Sequence, residues 1–133
     1  LAALGVELIE QPIPHGHEEM LRGVQSPVPF CADESVHTRD DLNKLTCFSA
    51  VNVKLDKAGG LTEALALTAA ARARGLRIML GCMLGTSLGI APAFLAAQGA
   101  DWVDLDGALL LAKDRAGALA MRDGMLLPGN LWG

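Results

Sequence analysis

The stretch "VNVKLDKAGG", residues 51–60, runs β-branched residues and two lysines into a pair of glycines. Side chains alternate across a pleated strand, so Val51, Val53 and Leu55 share one face while Asn52, Lys54 and Asp56 share the other. The aliphatic face must pack against helices, which directs Lys54 into the barrel or crevice that the sheet encloses. Lys57 has the opposite parity and stands beside Gly59 and Gly60, where the chain turns into the next helix. It reads as a loop or supporting residue, and Lys54 as the candidate base.

Working outward, the same kind of short β-type run recurs at "VELIE" (6–10), "VPFCAD" (28–33), "AVNVKL" (50–55), "LRIMLG" (76–81) and "WVDL" (102–105). Between and after these runs lie stretches of helical composition at about 17–24, 38–46, 61–74, 87–98 and 113–121. Thr38 with Asp41 in "TRDD" forms a capping box, and Thr86 or Ser87 can cap the run that follows. Strand and helix in regular alternation predict an α/β fold with a parallel sheet. No linker, low-complexity tract or charge block divides the chain, so residues 1–133 are read as one unit.

Composition narrows the function classes. The chain has 133 residues, is 51% hydrophobic and carries a net charge of -4, which provides no electrostatic footprint for nucleic acid or an anionic membrane. Apolar stretches are interrupted well short of a bilayer span, and "LAALGVELIEQP" has neither a basic region nor a cleavage motif. The expectation is a cytoplasmic protein whose partners are small molecules or other protein, with homo-oligomerisation open. Cys31, Cys47 and Cys82 are odd in number and lack C-x-x-C spacing, so reduced, partly buried thiols are expected rather than disulfides or a zinc site.

Polar residues collect at the carboxyl ends of the strands. Glu10 ends the first, Asp33 the second, Lys54 the third, and Asp104 and Asp106 close the fifth. In α/β sheets and barrels that edge is where loops converge and active sites are assembled. Parity places Trp102, Asp104 and Asp106 on one side of the last strand. Cys82 and Met83 end the fourth, where they line a substrate pocket or simply fill core space. His15 and His17 in "PHGHEE" lack a third ligand and read as solvated, and His37 as a loop residue. Glu34 reads as a supporting or capping residue. Gly85, Thr86 and Ser87 could offer helix N-terminal amides to a carboxylate.

In this order and at these spacings, "IEQP", "ADES", "VNVKLDKAGGLTEAL", "GCMLGTSLGI" and "DLDG" resemble the second half of the barrel of an enolase-superfamily enzyme. Within that superfamily the resemblance is to the dipeptide epimerases of the muconate-lactonizing subgroup, those acting on L-Ala-D/L-Glu. It covers essentially the whole chain, and the final "LLPGNLWG" is similar to the family's carboxyl terminus. The resemblance implies that Glu10 and Asp33 are two of three magnesium ligands and that Lys54 is the acid/base lysine of the sixth barrel strand. It further implies that Asp104 and Asp106 hold the α-ammonium group of a dipeptide substrate.

The family's chemistry requires these residue types. Removing the proton α to a carboxylate puts a second negative charge on that group, which a divalent cation must meet. Mg²⁺ prefers hard oxygen ligands of the kind that carboxylates on adjacent strands supply. Enolase-type sites accordingly pair a lysine or histidine base with magnesium. A full barrel takes about 250 residues, so the chain is expected to be its carboxyl-terminal part, about strands four to eight. The capping domain, an opposing lysine pair on the second strand and a third ligand on the third are then missing. The alternatives are an N-acylamino acid racemase, an o-succinylbenzoate synthase, a cycloisomerase, or a non-catalytic half-barrel that binds a partner.

Overall fold

The computed structural model describes residues 1–131. Trp132 and Gly133, the last two residues of "LLPGNLWG", lie outside the described residues. Five parallel strands form one sheet in chain order: β1 (Ile9–Glu10), β2 (Phe30–Ala32), β3 (Ala50–Lys54), β4 (Arg77–Gly81) and β5 (Trp102–Val103). Pairing is most extensive between β3 and β4, where five rungs run from Ala50 opposite Arg77 to Lys54 opposite Gly81. The sheet is parallel, as the alternation predicted, and forms the half-barrel that the resemblance implied.

The strand faces divide as the parity of residues 51–55 requires. Val51, Val53, Ile78 and Leu80 are fully or almost fully buried and share a core with Leu67 and Ala71 of α2 (Leu61–Ala73) and Ile90 and Ala93 of α3 (Ser87–Ala96). Cys31, Ala50 and Met79 form a second, smaller cluster with Leu8 and Trp102. These five have the parity of Glu10, Asp33, Asn52, Lys54 and Asp104, so they fill the inner face beneath the polar ends of the strands. The Arg77 guanidinium lies 4.5 Å from the Trp102 ring centroid, and the indole N–H donates to Glu7 at 3.3 Å.

The helices differ from expectation in informative ways. Residues 61–74 give the thirteen-residue α2, rich in alanine and leucine, whose buried Ala64, Leu67 and Ala71 lie along one face. The stretches near 17–24 and 38–46 form 3₁₀ helices instead, Glu18–Leu21 and Arg39–Lys44. The Thr38 and Asp41 capping box is present, with the Asp41 carboxylate accepting the Thr38 N–H at 2.9 Å and the His37 N–H at 3.1 Å.

No helix forms over 113–121. The chain enters a hairpin of β6 (Met121–Arg122) and β7 (Met125–Leu126), because Asp123 and Gly124 both take positive φ, 53° and 76°, the geometry a two-residue hairpin turn needs. The cap of α3 is also not local. Asp114 accepts the Ser87 backbone N–H at 3.1 Å and also binds its hydroxyl, while Leu119 N–H donates to Ser87 Oγ at 2.9 Å. A carboxylate brought from the C-terminal segment thus takes the place expected for Thr86. Among the described residues no helix is long and apolar enough to cross a membrane.

Candidate active site

Strand β3 ends at Lys54, and the chain at once makes a single helical turn, α1 (Leu55–Ala58). Gly59, at φ 91°, closes that turn, and the Gly59 and Gly60 N–H groups both donate to the Leu55 carbonyl. The period-two rule therefore stops before Lys57, and the opposite strand parity read for it does not apply. One helical turn past the strand, its amine comes back to the same carboxylate that Lys54 meets.

That carboxylate is Asp33. Lys54 Nζ donates to Asp33 Oδ2 at 2.7 Å, and Lys57 Nζ donates to Asp33 Oδ1 and to the Asp33 carbonyl oxygen at 2.6 Å. Lys57 Nζ also donates to the Asn52 carbonyl oxygen at 3.2 Å. Next to this cluster, the Asn52 side-chain amide donates to Glu10 Oε1. The inner edge thus carries a continuous polar chain from Glu10 through Asn52 and Lys57 to Asp33 and Lys54, contributed by three adjacent strands and the turn after them.

The electrostatics follow from crowding at low solvent exposure. Burial pushes the Asp33 carboxyl up, but the two lysine amines outweigh it and hold the group below its ordinary value. Burial likewise pulls the Lys54 amine down, and the Asp33 hydrogen bond with the charges of Asp33, Glu10 and Glu34 carries it above the ordinary lysine value. For Lys57, burial wins over Asp33 and the amine is lowered. Cys31, fully buried beside Glu10 and Asp33, has its thiol pushed up by burial and by both carboxylates, so it stays protonated and inert.

Asp104 and Asp106 form a second acidic feature just past β5. The Asp104 N–H continues the sheet ladder by donating to the Leu80 carbonyl at 2.9 Å. Desolvation and the neighbouring Asp106 charge push the Asp104 carboxyl up, with Lys54 pulling the other way. Both acids line a cavity of about 480 Å³ with Phe94, Val103, Met121 and Met125, a set that does not include Glu10, Asp33 or Lys54. Cys82 is half-buried with its thiol raised by burial, and its sulfur would lie 3.0 Å from a Cβ at Gly107. Met83 is exposed, and neither it nor Cys82 lines that cavity.

Glu10 and Asp33 offer hard oxygen donors from adjacent strand ends, and the buried Asn52 Oδ1 beside them has no hydrogen-bond partner. That donor set fits part of a magnesium shell. Among the described residues no group of three or more His, Cys, Asp or Glu side chains gathers to complete one.

One further residue holds the site and was not singled out from the sequence. Gln11, the residue after Glu10, has φ 36°, and its Oε1 accepts the Asp33 N–H at 2.7 Å and the Ser35 N–H at 3.4 Å. Its Nε2 donates to Ser35 Oγ at 2.9 Å and the Ile13 carbonyl at 3.0 Å. The signal for it is a polar amide directly after a strand-end acid and before Pro12. His15 lies 3.4 Å from Glu18 and His17 3.7 Å from Glu19, both exposed.

A parallel half-barrel with carboxylates and an inward lysine at its carboxyl edge defines a member of the β/α barrel class that carries its chemistry at that edge. Residues 1–130 match the model of the Enolase C-terminal domain-like family, and the chain belongs to that family. It is similar to the N-acetyl-D-glutamate racemase of Pseudoalteromonas sp, 52% identical over all of this chain and 43% of the relative. It is also similar to the L-Ala-D/L-Glu epimerase of Escherichia coli K12, 49% identical over 95% of this chain and 40% of the relative. The chain thus spans about two fifths of the length of these relatives.

Among solved structures, an enolase family member from Agrobacterium tumefaciens with homology to dipeptide epimerases, holding sodium and L-Ala-L-Glu, matches at 53% identity and a TM-score of 0.94. That match covers 99% of this chain and 41% of the other. The dipeptide epimerase from Methylococcus capsulatus, complexed with Mg and L-Arg-D-Lys, matches at 35% identity and a TM-score of 0.84 over 94% of this chain and 38% of the other.

Proposed function

We propose that the full-length protein is a magnesium-dependent dipeptide epimerase that inverts the carbon α to a carboxylate. The observation that carries this reading is the Lys54 amine on the inner face, in contact with Asp33 and on the same sheet edge as Glu10. Glu10 and Asp33 would hold the metal. Bound there, Mg²⁺ supplies positive charge that offsets the second negative charge created on a carboxylate when its α proton leaves. Lys54 takes or returns that proton on one face of the planar enolate, its position fixed by β3. The other face requires a second carrier, which the resemblance implies is a lysine of the barrel's second strand. Asp104 and Asp106 bind the free α-ammonium group of the dipeptide through charge-assisted hydrogen bonds.

Support for glutamate-containing substrates comes from the relatives, one a racemase of N-acetyl-D-glutamate and one an epimerase of L-Ala-D/L-Glu. The first of these favours a second reading, N-acylamino acid racemisation. Incubating the full-length protein in D₂O with L-Ala-L-Glu, with and without EDTA, and in parallel with N-acetylglutamate separates the two. The dipeptide reading expects α-deuterium incorporation and appearance of L-Ala-D-Glu that EDTA abolishes. Exchange of N-acetylglutamate without exchange of the dipeptide favours the second reading, and no exchange of either sinks both.

A further inference from the structure

The two lysines on Asp33 are held in different ways. A lysine ammonium has three donors. Lys57 directs all three into the protein: at Asp33 Oδ1, at the Asp33 carbonyl at 2.6 Å and at the Asn52 carbonyl at 3.2 Å. Lys54 has one contact, to Asp33 Oδ2 at 2.7 Å. The Lys57 side chain is 10% exposed and that of Lys54 15%. Lys57 also stands on the one-turn α1, anchored by the buried Leu55 and closed at Gly59.

We propose that Lys57 is a positioning residue, the permanent partner of Asp33, and that Lys54 is its exchangeable partner. The inference rests on the reading of Glu10, Asp33 and Lys54 as the reaction centre. The physical reason is one of connectivity. Freeing Lys57 means breaking three hydrogen bonds at once in a little-exposed site, even though the Asp33 carbonyl keeps the Val36 N–H at 3.1 Å, whereas Lys54 leaves Asp33 by breaking a single bond. Lys57 simultaneously ties the end of β2 to the carbonyl of Asn52 on β3. Asp33 therefore keeps its orientation while Lys54 turns from its carboxylate to a substrate carbon. No donor of Lys57 remains to serve a substrate.

Two measurements on the full-length protein test this. The first observes the ammonium groups of the metal-free wild type by ¹⁵N NMR, assigned by the loss of one signal in each of Lys54→Arg and Lys57→Arg. A slowly exchanging Lys57 signal beside a rapidly exchanging Lys54 signal is expected. Equal exchange, or greater protection of Lys54, overturns the proposal. The second is steady-state kinetics of Lys57→Met on L-Ala-L-Glu. The expected result is a kcat at least about tenfold lower with KM changed by less than about threefold. An unchanged kcat in a folded variant, or an effect on KM alone, overturns the proposal. If the wild type turns over no dipeptide, the functional reading fails, and the NMR result still decides whether Lys57 is the fixed partner. The same holds if Lys57→Met does not fold.

Discussion

Gln11 and Asp33 are joined across the first two strands by a 2.7 Å hydrogen bond in which the Gln11 side-chain oxygen accepts the Asp33 backbone N–H. Gln11 makes this bond from a left-handed backbone conformation, φ 36°, that disfavours any residue but glycine. Strain and clamp therefore oppose one another at one position, and Gln11→Gly separates them. If strain dominated, glycine would stabilise the protein. The clamp is expected to win, because the Asp33 and Ser35 N–H groups lose their acceptor, at a cost of about 1–3 kcal/mol. Chemical denaturation of the variant checks it, and a midpoint at or above that of the wild type removes the clamp from the account.

Gly81 lies on the same rung as Lys54, and a Cβ there would sit 2.6 Å from Asn52 Oδ1 and 2.8 Å from Asn52 Nδ2. Asn52 is 1% exposed and its amide holds Glu10, so it has nowhere to retreat without moving a proposed metal ligand. Gly81→Ala is expected to cost about 1–3 kcal/mol by overpacking and to weaken Mg²⁺ binding as well. Gly89, within α3, has open space around the equivalent Cβ, and Gly89→Ala is expected to stabilise by about 0.4–1 kcal/mol. Paired unfolding curves and Mg²⁺ calorimetry check both; equal effects at the two glycines would show that packing at Asn52 is not the cause.

Lys54 was legible from the strand alternation because β3 is regular up to that residue, and the same regularity sorted Val51 and Val53 to the helix-packed face. Lys57 was not, because the backbone turns helical at Leu55 and a periodicity that has ended carries no information about direction. Gln11 and Asp114 escaped for a different reason: each acts on a partner more than twenty residues away, at Asp33 and Ser87, and only the packed sheet brings them together. The hairpin at 121–126 had a local signal in the Asp123-Gly124 pair itself, set between Arg122 and Met125. Its shortness let helical composition upstream dominate the reading of 113–121.

Lys54→Ala in the full-length protein is expected to abolish epimerisation, because one face of the enolate loses its proton carrier. Exchange of the α-hydrogen with D₂O should persist for one epimer of the substrate, served from the opposite face. Lys57→Met, by contrast, slows both epimers alike if Asp33 is what it positions. Proton NMR of each epimer in D₂O distinguishes these patterns. Exchange of both epimers at wild-type rates in Lys54→Ala would remove Lys54 from proton transfer.

The carboxyl of Glu18 is pulled from an ordinary 4.5 down to about 2, first by the Ser35 hydroxyl at 2.6 Å and then by the Gly16 N–H at 3.0 Å. A carboxyl whose pKa is depressed by folding contributes stability above its ordinary pKa and loses it as pH falls through the folded value. The Glu18 contribution is therefore full above pH 4.5 and disappears by about pH 2. Glu18→Gln should be less stable than the wild type at neutral pH, with the gap closing across that window. Denaturant unfolding at a series of pH values checks the sign, and a gap that widens on acidification would refute it.

Burial first, and then the neighbouring Asp106 charge, push the Asp104 carboxyl up, and a cation shared by the two acids offsets both effects. An ammonium between them relieves the repulsion and gains charge-assisted hydrogen bonds worth about 1.5–3 kcal/mol each. Replacing either acid by asparagine keeps the shape, removes one charge and leaves the cation with a weaker partner. Asp104→Asn and Asp106→Asn are each expected to lower kcat/KM for L-Ala-L-Glu by at least about tenfold, the factor that about 1.4 kcal/mol produces. N-acetylated substrates bring no cation to this pair, so their kcat/KM should fall less or rise. Steady-state kinetics on a free and an acetylated form of one dipeptide decides the matter. Equal losses on both would take the ammonium away from Asp104 and Asp106 and move the balance to the acylamino acid reading, with the lysine and carboxylate assignments left standing.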